Sequence, residues 1–312
     1  MSEAPSFIPL NWDEIPPASC RGGAVAVGNF DGVHRGHASL IAVLREHARA
    51  VNGPAVVLSF DPHPLQLLAP DKFQPLLTTP ANRARLLTCL GADAVVLLRT
   101  APELLRLSAE EFFGRILRQG FEAKALVEGF NFRFGRERAG DLDLLKSLCA
   151  RDGIALTAVP PFELDGKPVS SSRVRNELLA GDVKEAARLL GRHYEVEGTV
   201  GKGAKRGRTL GFPTANIEQV ETLLPGDGVY AVRVAAISKM FSGAANVGPN
   251  PTFGESARKL EVHLLDFDGD LYGKEMTVAF VERLRGTRPF ASAAELVEQL
   301  RRDVERVREI VT

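Results

Sequence analysis

At 312 residues the chain has room for one large domain or two ordinary ones, and 45% hydrophobic with 25% charged residues is the make-up of a soluble globular protein. Lysine plus arginine (39) equals aspartate plus glutamate (39), so no charge excess points to nucleic acid or an anionic membrane as the main partner. Cys20, Cys89 and Cys149 are scattered and odd in number, which argues against a disulfide framework or a zinc site and fits a reducing cytoplasm.

The chain opens on Met1-Ser2-Glu3-Ala4-Pro5, without the basic, apolar pattern of a signal peptide, and no later run approaches a membrane span. The first strong element is Ala24-Val25-Ala26-Val27, an apolar β-branched run suited to a buried parallel strand. It leads into Gly28-Asn29-Phe30-Asp31-Gly32-Val33-His34-Arg35-Gly36-His37, after which Leu40, Val43, Leu44 and Ala48 follow at helical spacing. A strand-turn-helix of this kind is an anion site. Its glycines let backbone approach a ligand closely, and the helix start adds N–H groups and a positive dipole end. His34 and His37, three residues apart, are placed to face one bound group and to donate hydrogen bonds to charge developing on a phosphate. The alternative is a tight turn with two polar surface histidines; Asn29, Asp31 and three glycines in the same turn weigh against it.

Short apolar runs at 55–60, 94–98, 125–128 and 155–159 alternate with helical stretches near 81–90, 108–119 and 142–151, and Ser108 with Glu111 makes a capping box. Strict alternation predicts a parallel, doubly wound sheet whose ligands bind beyond the carboxyl ends of its strands. Three polar loops then meet along one edge: the Gly28–His37 turn, Phe60-Asp61-Pro62-His63-Pro64, and Gly129-Phe130-Asn131-Phe132-Arg133-Phe134-Gly135-Arg136. Phe130, Phe132 and Phe134 alternate at strand spacing, so they either stack a planar ring on one face or belong to the core. His63, held between prolines, is either a ligand contact or a structural turn residue. Farther on, Ser170-Ser171-Ser172-Arg173-Val174-Arg175 opens a helix, where serines cap the end and an arginine one turn in reaches the same anion; an ordinary N-cap is the other reading.

Gly181-Asp182 ends that helix, and residues 183–190 read as a short connecting helix closed by Gly191. The pattern then changes to strands at 194–200, 229–236, 241–247, 260–267 and 276–281 with no helices between, which predicts a small β-barrel followed by one amphipathic helix from Ser292 to about Val311. Within it, Gly201, Gly203, Gly207 and Gly211 alternate with Lys202, Lys205, Arg206 and Arg208, and the stretch closes on Leu210-Gly211-Phe212-Pro213-Thr214-Ala215-Asn216. A glycine-rich cationic loop wraps phosphates; a solvated loop or an RNA contact are the alternatives. Thr214 and Asn216, two apart, turn hard oxygens the same way on an extended strand, which suits Mg²⁺. Glu261 and His263 share a strand face, and Glu261 is placed to accept a hydroxyl proton.

These motifs carry resemblances. The His-x-Gly-His signature at His34–His37 is similar to that of the nucleotidyltransferase superfamily, and Ser-Ser-Ser-x-Val-Arg to its second phosphate-binding signature; the Lys-Met-Ser-Lys-Ser loop of class I aminoacyl-tRNA synthetases is absent. The run Gly-Arg-x-Leu-Gly-Phe-Pro-Thr-Ala-Asn, Gly228-Val229-Tyr230, Asn246-Val247-Gly248 with Pro251-Thr252-Phe253, and Glu261-Val262-His263-Leu264 resembles riboflavin kinase. Together, over nearly the whole chain, they resemble the bacterial bifunctional riboflavin kinase/FMN adenylyltransferases, or FAD synthetases.

That resemblance implies an α/β Rossmann-like nucleotidyltransferase domain over 1–182, a linker helix over 183–192 and an all-β kinase barrel with a C-terminal helix over 193–312. It implies ATP contacts in the first domain from Gly28, Asn29, Phe30, Asp31, Gly36, Asn131, Ser171, Ser172 and Arg175, with His34 and His37 catalytic. In the barrel it implies ATP contacts from Gly201, Lys202, Lys205, Gly211, Phe212, Pro213, Thr214 and Asn216, Mg²⁺ on Thr214 and Asn216, and Glu261 catalytic. His63, Phe130 and Tyr230 are implied flavin contacts. The implied partners are riboflavin, FMN and ATP, with FAD as final product and neither nucleic acid nor membrane. Asn131 stands where many relatives carry aspartate and Asn250 where many carry a basic residue. Rival readings are a nucleotidyltransferase for another phosphate, a flavin-sensing protein without turnover, and an RNA-binding module on the Lys202–Arg208 run.

Overall fold

The computed structural model describes residues 7–201, 211–250 and 255–311. The chain divides into two compact units that change over at Ser170/Ser171, with Pro75–Leu77 grouped with the second. In that division the helix Ser171–Ala180 goes with the second unit.

The first unit is built on six parallel strands: β1 (Ile8–Leu10), β2 (Ala24–Val27), β3 (Ala55–Asp61), β4 (Ala94–Arg99), β5 (Ala125–Gly129) and β6 (Ala155–Val159). Their order is β1-β4-β3-β2-β5-β6, and every pairing is parallel. Only β1, three residues long, lacks a sequence pattern of its own. Side chains alternate across the sheet, so both faces are apolar and both are covered. On one face Ala24, Ala26, Val57 and Val127 pack with Leu40, Ile41 and Leu44 of α1 (Arg35–Ala50). On the other, Val25, Val27, Leu58 and Leu126 pack with Phe112, Phe113, Leu145 and Leu148.

Between these, α2 (Pro64–Leu68) is a single turn after β3, and α3 (Pro80–Cys89) precedes β4. After β4 come α4 (Pro102–Arg106) and α5 (Ala109–Phe112), the latter running on as π-helix over Phe113–Gly120; α6 (Leu142–Asp152) leads to β6. A small hairpin, β7 (Glu163–Leu164) with β8 (Lys167–Pro168), closes the unit. The strand order reverses between β2 and β5. In an open α/β sheet that reversal opens a crevice beyond the carboxyl ends, where ligands bind. The Gly28 turn leaves β2 there, and the Gly129–Asn131 turn leaves β5.

The second unit starts with α7 (Ser171–Ala180) and α8 (Val183–Leu190). The Asp182 side chain caps α8 by accepting the Glu185 N–H, and Gly191 closes it in the left-handed conformation, as its sequence predicts. Six antiparallel strands follow: β9 (Tyr194–Gly201), β10 (Ala215–Glu218), β11 (Gly228–Ala236), β12 (Lys239–Asn250), β13 (Glu255–Leu264) and β14 (Glu275–Arg285). They close into a barrel in the order β10-β13-β12-β11-β14-β9, with β9 paired back to β10. The sequence pattern marks five of these strands; β10, four residues long, is the one that shuts the barrel. Buried Tyr194, Val196, Tyr230, Val232, Val262, Val278 and Phe280 fill it. Outside, α9 (Ala293–Val311) lays Val307 and Val311 against Ala231 and Leu265.

Candidate active sites

In the first unit the turn between β2 and α1 is strained into place. Phe30 (φ 49°), Gly32 (φ 81°) and Val33 (φ 42°) all sit in the left-handed region, which a β-branched residue such as Val33 enters only when its surroundings force it. Buried contacts supply that force. Asp31 accepts hydrogen bonds from the Thr78 main-chain N–H (3.2 Å) and hydroxyl (3.4 Å), while Gly32 N–H donates to Thr78 Oγ1 (3.1 Å). Phe30 is buried as well, its ring 5.1 Å from that of His37.

His34 and His37 cap α1 reciprocally. The His37 N–H donates to His34 Nδ1 and the His34 N–H donates to His37 Nδ1, both at 3.3 Å. Each Nδ1 is therefore an acceptor, which puts the ring proton on Nε2 in both imidazoles. The rings stack with centroids 3.6 Å apart. A side chain at Gly36 would press on this pair, since its Cβ would lie 3.0 Å from His34 Cε1. The result is two N–H donors held in parallel beside the positive end of a sixteen-residue helix, an arrangement made for anionic oxygens.

The other loop residues that the sequence singles out are each held by contacts of their own. β5 ends at Gly129, so Phe130, Phe132 and Phe134 follow it without sharing one strand face; Phe130 lies in a turn and Phe134 makes an isolated bridge to Gly140. Phe132 and Phe134 stack on each other at 5.4 Å and join the core, whereas Phe130 is 49% exposed at the crevice end of β5. Asn131 beside it is exposed. His63 follows the cis Asp61–Pro62 peptide and caps α2, its Nδ1 accepting the Leu65 N–H at 3.1 Å with Phe73 at 5.7 Å. Ser171, Ser172 and Arg175 lie on α7, in the second unit, where Arg175 donates to the Pro75 carbonyl (3.4 Å).

Two buried polar residues near the crevice carry no motif. Arg83 of α3 is 1% exposed and donates to the carbonyls of Asn29 (2.7 Å) and Phe60 (3.3 Å), joining the turns that follow β2 and β3. Burial lowers its affinity for the proton, and the nearby carboxylates of Asp31 and Asp61 oppose that. Glu128 of β5 is 1% exposed, and its Oε1 accepts the Val27 N–H at 3.0 Å. Burial raises its carboxyl well above the usual range, against the smaller lowering by that hydrogen bond. The buried Cys149 thiol is pushed up to about 11, by burial first and by Glu128 second. An arginine in a helix and a glutamate in a strand give no sequence signal; only burial singles them out.

In the second unit, strand register assembles the site. Asn216 on β10 pairs directly with Glu261 on β13, and Glu261 with Asn246 on β12. Directly opposed residues share a face with Cβ atoms about 5 Å apart, so a carboxylate is flanked by two carboxamides across three strands. Leu260 and Val262, on either side of Glu261, are buried, which turns Glu261 and His263 to the outer face. His263 Nδ1 donates to the Pro213 carbonyl (2.8 Å), and its ring meets Phe212 edge-on at 5.5 Å. That contact holds the Phe212-Pro213 segment against the Glu261 strand. Thr214 is exposed immediately before β10, and Gly211 (φ 85°) is in the left-handed region that glycine takes readily. Gly201 pairs with Asn216, and any Cβ there would meet the Glu218 carboxylate at 2.0 Å. Asn246, part of the Asn246-Val247-Gly248 motif but given no role by it, is set beside Glu261 by strand register. Lys202 and Lys205 lie outside the described residues.

Tyr230 is placed differently from the flavin contact the resemblance implies. It is fully buried inside the barrel, its ring edge-on to Phe280 at 5.3 Å and its hydroxyl donating to the Gly226 carbonyl. Its ring is spent on packing.

Comparisons with known proteins follow the same division. A family model described as FAD synthetase matches residues 17–173, and one described as riboflavin kinase matches residues 190–311. A bifunctional riboflavin kinase/FMN adenylyltransferase from Pseudomonas fluorescens is 41% identical over 285 residues, 91% of each chain. The protein of the same description from Escherichia coli strain K12 is 38% identical over 294 residues, covering 94% of this chain and 93% of its own. A crystal structure described as a macrolide-efflux protein from Streptococcus pneumoniae superposes with a TM-score of 0.86 at 35% identity, over 97% of this chain and 98% of its own. The efflux description belongs to that protein; among the described residues here no helix is long and apolar enough to cross a membrane.

Proposed function

The chain belongs to the bifunctional riboflavin kinase/FMN adenylyltransferase family, and from that premise we propose how its residues share the work. The protein makes flavin cofactors in two ATP-dependent steps: riboflavin to FMN in the riboflavin kinase half, and FMN to FAD with release of pyrophosphate in the FAD synthetase half.

For phosphorylation, Glu261 orients the riboflavin 5′-hydroxyl and takes its proton as that oxygen attacks the γ-phosphorus of ATP; the bond from the γ-phosphorus to the bridging oxygen breaks and ADP leaves. Such a transfer needs mainly positioning and neutralised charge. Thr214 and Asn216 supply hard oxygens that fit Mg²⁺ with most of its waters kept, and Glu261 is in register beside Asn216 to act on the hydroxyl. The ion would neutralise charge on the ATP phosphates. The observation that most supports this reading is the Asn216–Glu261–Asn246 row.

For adenylylation, an FMN phosphate oxygen attacks the α-phosphorus of a second ATP, the bond to the bridging oxygen breaks, and pyrophosphate departs. The nucleophile is already an anion, so no general base is required. His34 and His37 donate from Nε2 to the crowded phosphate oxygens, with the start of α1 adding its N–H groups. Gly28, Asn29, Phe30, Asp31 and Gly36 shape that turn around the nucleotide. Asn131 contributes at the exit of β5, and Ser171, Ser172 and Arg175 keep the phosphate-binding role that the family signature implies. Phe130 and His63 are the flavin contacts proposed; Tyr230 drops out of that set. A reducing compartment is the proposed setting, supported by three unpaired cysteines.

The test is one chromatographic assay started from riboflavin, ATP and Mg²⁺, resolving FMN from FAD. His37→Ala is expected to accumulate FMN without FAD. Glu261→Gln is expected to lose about 10²–10⁴ in FMN formation while still turning supplied FMN into FAD. Loss of both activities by either folded variant overturns the division.

A further inference from the structure

We propose that Glu128 is a positioning residue for adenylylation, its side chain replacing a missing rung of the sheet where β2 hands over to the nucleotide turn. The ladder between β2 and β5 has two partnered positions, Ala24 with Ala125 and Val25 with Leu126, and stops there. The flanking ladders run on: β2 stays paired with β3 through Val27, and β5 with β6 through Gly129. The central pair of strands therefore diverges before the crevice opens. In that gap the Val27 N–H faces β5 with no main-chain carbonyl opposite it in the ladder, and Glu128 Oε1 takes it at 3.0 Å. The next residue, Gly28, bonds the other way, to the Leu58 carbonyl at 3.0 Å. One side of the turn's root is thus set by main chain, the other by a single carboxyl.

The geometry makes that carboxyl a spacer. Glu128 reaches across from β5, so its length fixes how far β2 and β5 separate and where Gly28 begins. Its second oxygen, Oε2, is buried without a hydrogen-bond partner among the described residues, so the Val27 N–H is the bond that calls for a glutamate there. Burial favours its uncharged form, and the group keeps a hydrogen-bonding end inside the sheet, beneath the turn. Without it, the buried Val27 N–H loses its acceptor, and the root of the turn is free to relax.

This rests on assigning adenylylation to the first unit, and the experiment separates the two claims. In the full-length protein, Glu128→Gln keeps the acceptor and Glu128→Leu keeps the volume without it. Steady-state constants for both activities and a melting curve are measured on each preparation. The expected result is a rise of about tenfold in KM for ATP in FAD formation for E128L, with kcat changed far less, and near-wild-type constants for E128Q. Riboflavin kinase constants stay unchanged in both. Unaltered FAD formation in E128L overturns the role of Glu128, as does an equal loss in E128Q. A fall in kinase activity alone overturns the assignment of the reaction to this unit. If E128L melts much lower than E128Q yet KM for ATP is the same in both, the residue serves folding only and the proposal is wrong.

Discussion

His34 and His37 hold each other: their rings stack at 3.6 Å, and each Nδ1 accepts the other's main-chain N–H. The same two side chains that cap α1 therefore present Nε2 protons to a ligand, so helix stability and chemistry are tied together at one place. Substitutions can pull them apart. His34→Asn keeps a good N-cap acceptor and is expected to melt close to wild type, whereas His34→Ala loses about 1 kcal/mol of cap energy. Both are expected to lose about 10²–10³ in FAD formation, the usual cost of one phosphate-stabilising donor. Melting curves beside an FMN adenylylation assay check it.

Glu261 lies in one row with Asn216 and Asn246 on the outer face of the barrel. Glu261→Gln removes the proton acceptor without changing size, and a loss of about 10²–10⁴ in riboflavin phosphorylation is expected. Asn246→Ala should cost less, because it only flanks the carboxylate. Stripping divalent cations should stop FMN formation in wild type, with Mg²⁺ restoring it. Initial rates of FMN formation, read by chromatography, decide all three.

The buried Glu128 makes stability depend on pH. Unfolded, its carboxyl titrates near 4.5; folded, burial keeps it protonated to higher pH. The stability it contributes is complete below about pH 4.5 and drains away as pH rises toward the folded value, because only the unfolded chain gives up the proton, at about 1.4 kcal/mol per pH unit. Glu128→Gln abolishes that titration. The difference in melting temperature should therefore move in favour of E128Q between pH 5 and pH 8. A constant difference across that range would contradict a raised Glu128.

The β11–β12 hairpin turns on Ile237 (φ 46°) and Ser238 (φ 60°), both left-handed, between the paired residues Ala236 and Lys239. Asn-Gly is the dipeptide that such a turn accepts most readily, and a β-branched isoleucine is among the least suited. Ile237→Asn is expected to stabilise the barrel by about 1 kcal/mol, since a left-handed L-residue costs about 1–2 kcal/mol. Thermal unfolding followed by loss of riboflavin kinase activity reads it.

How much of this was legible in the chain differs from residue to residue. The Gly28–His37 turn could be read directly, because an apolar run, glycines, two histidines and a helical pattern are consecutive, and a turn's chemistry depends on its own residues. The change from alternating helix and strand to strands alone announced two architectures for the same local reason. Thr214, Asn216 and Glu261 were legible as types. Their assembly was not, for it is the antiparallel register of β10, β13 and β12 that sets Asn216 and Asn246 on either side of Glu261.

Tertiary structure alone decided the rest. Phe130, Phe132 and Phe134 share one spacing, yet the end of β5 at Gly129 sends two into the core and leaves one exposed. Tyr230 reads like a ligand contact, and barrel closure buries it. Arg83 and Glu128 have no motif because their importance is environmental: a guanidinium between two turn carbonyls, and a carboxyl where a ladder stops. The amino-acid sequence by itself determined the chemistry each segment can offer, since bonding groups and local periodicity travel with the residues. Which of those groups face a ligand, and which are consumed in holding the fold, was decided by strand pairing and burial between segments far apart in the chain.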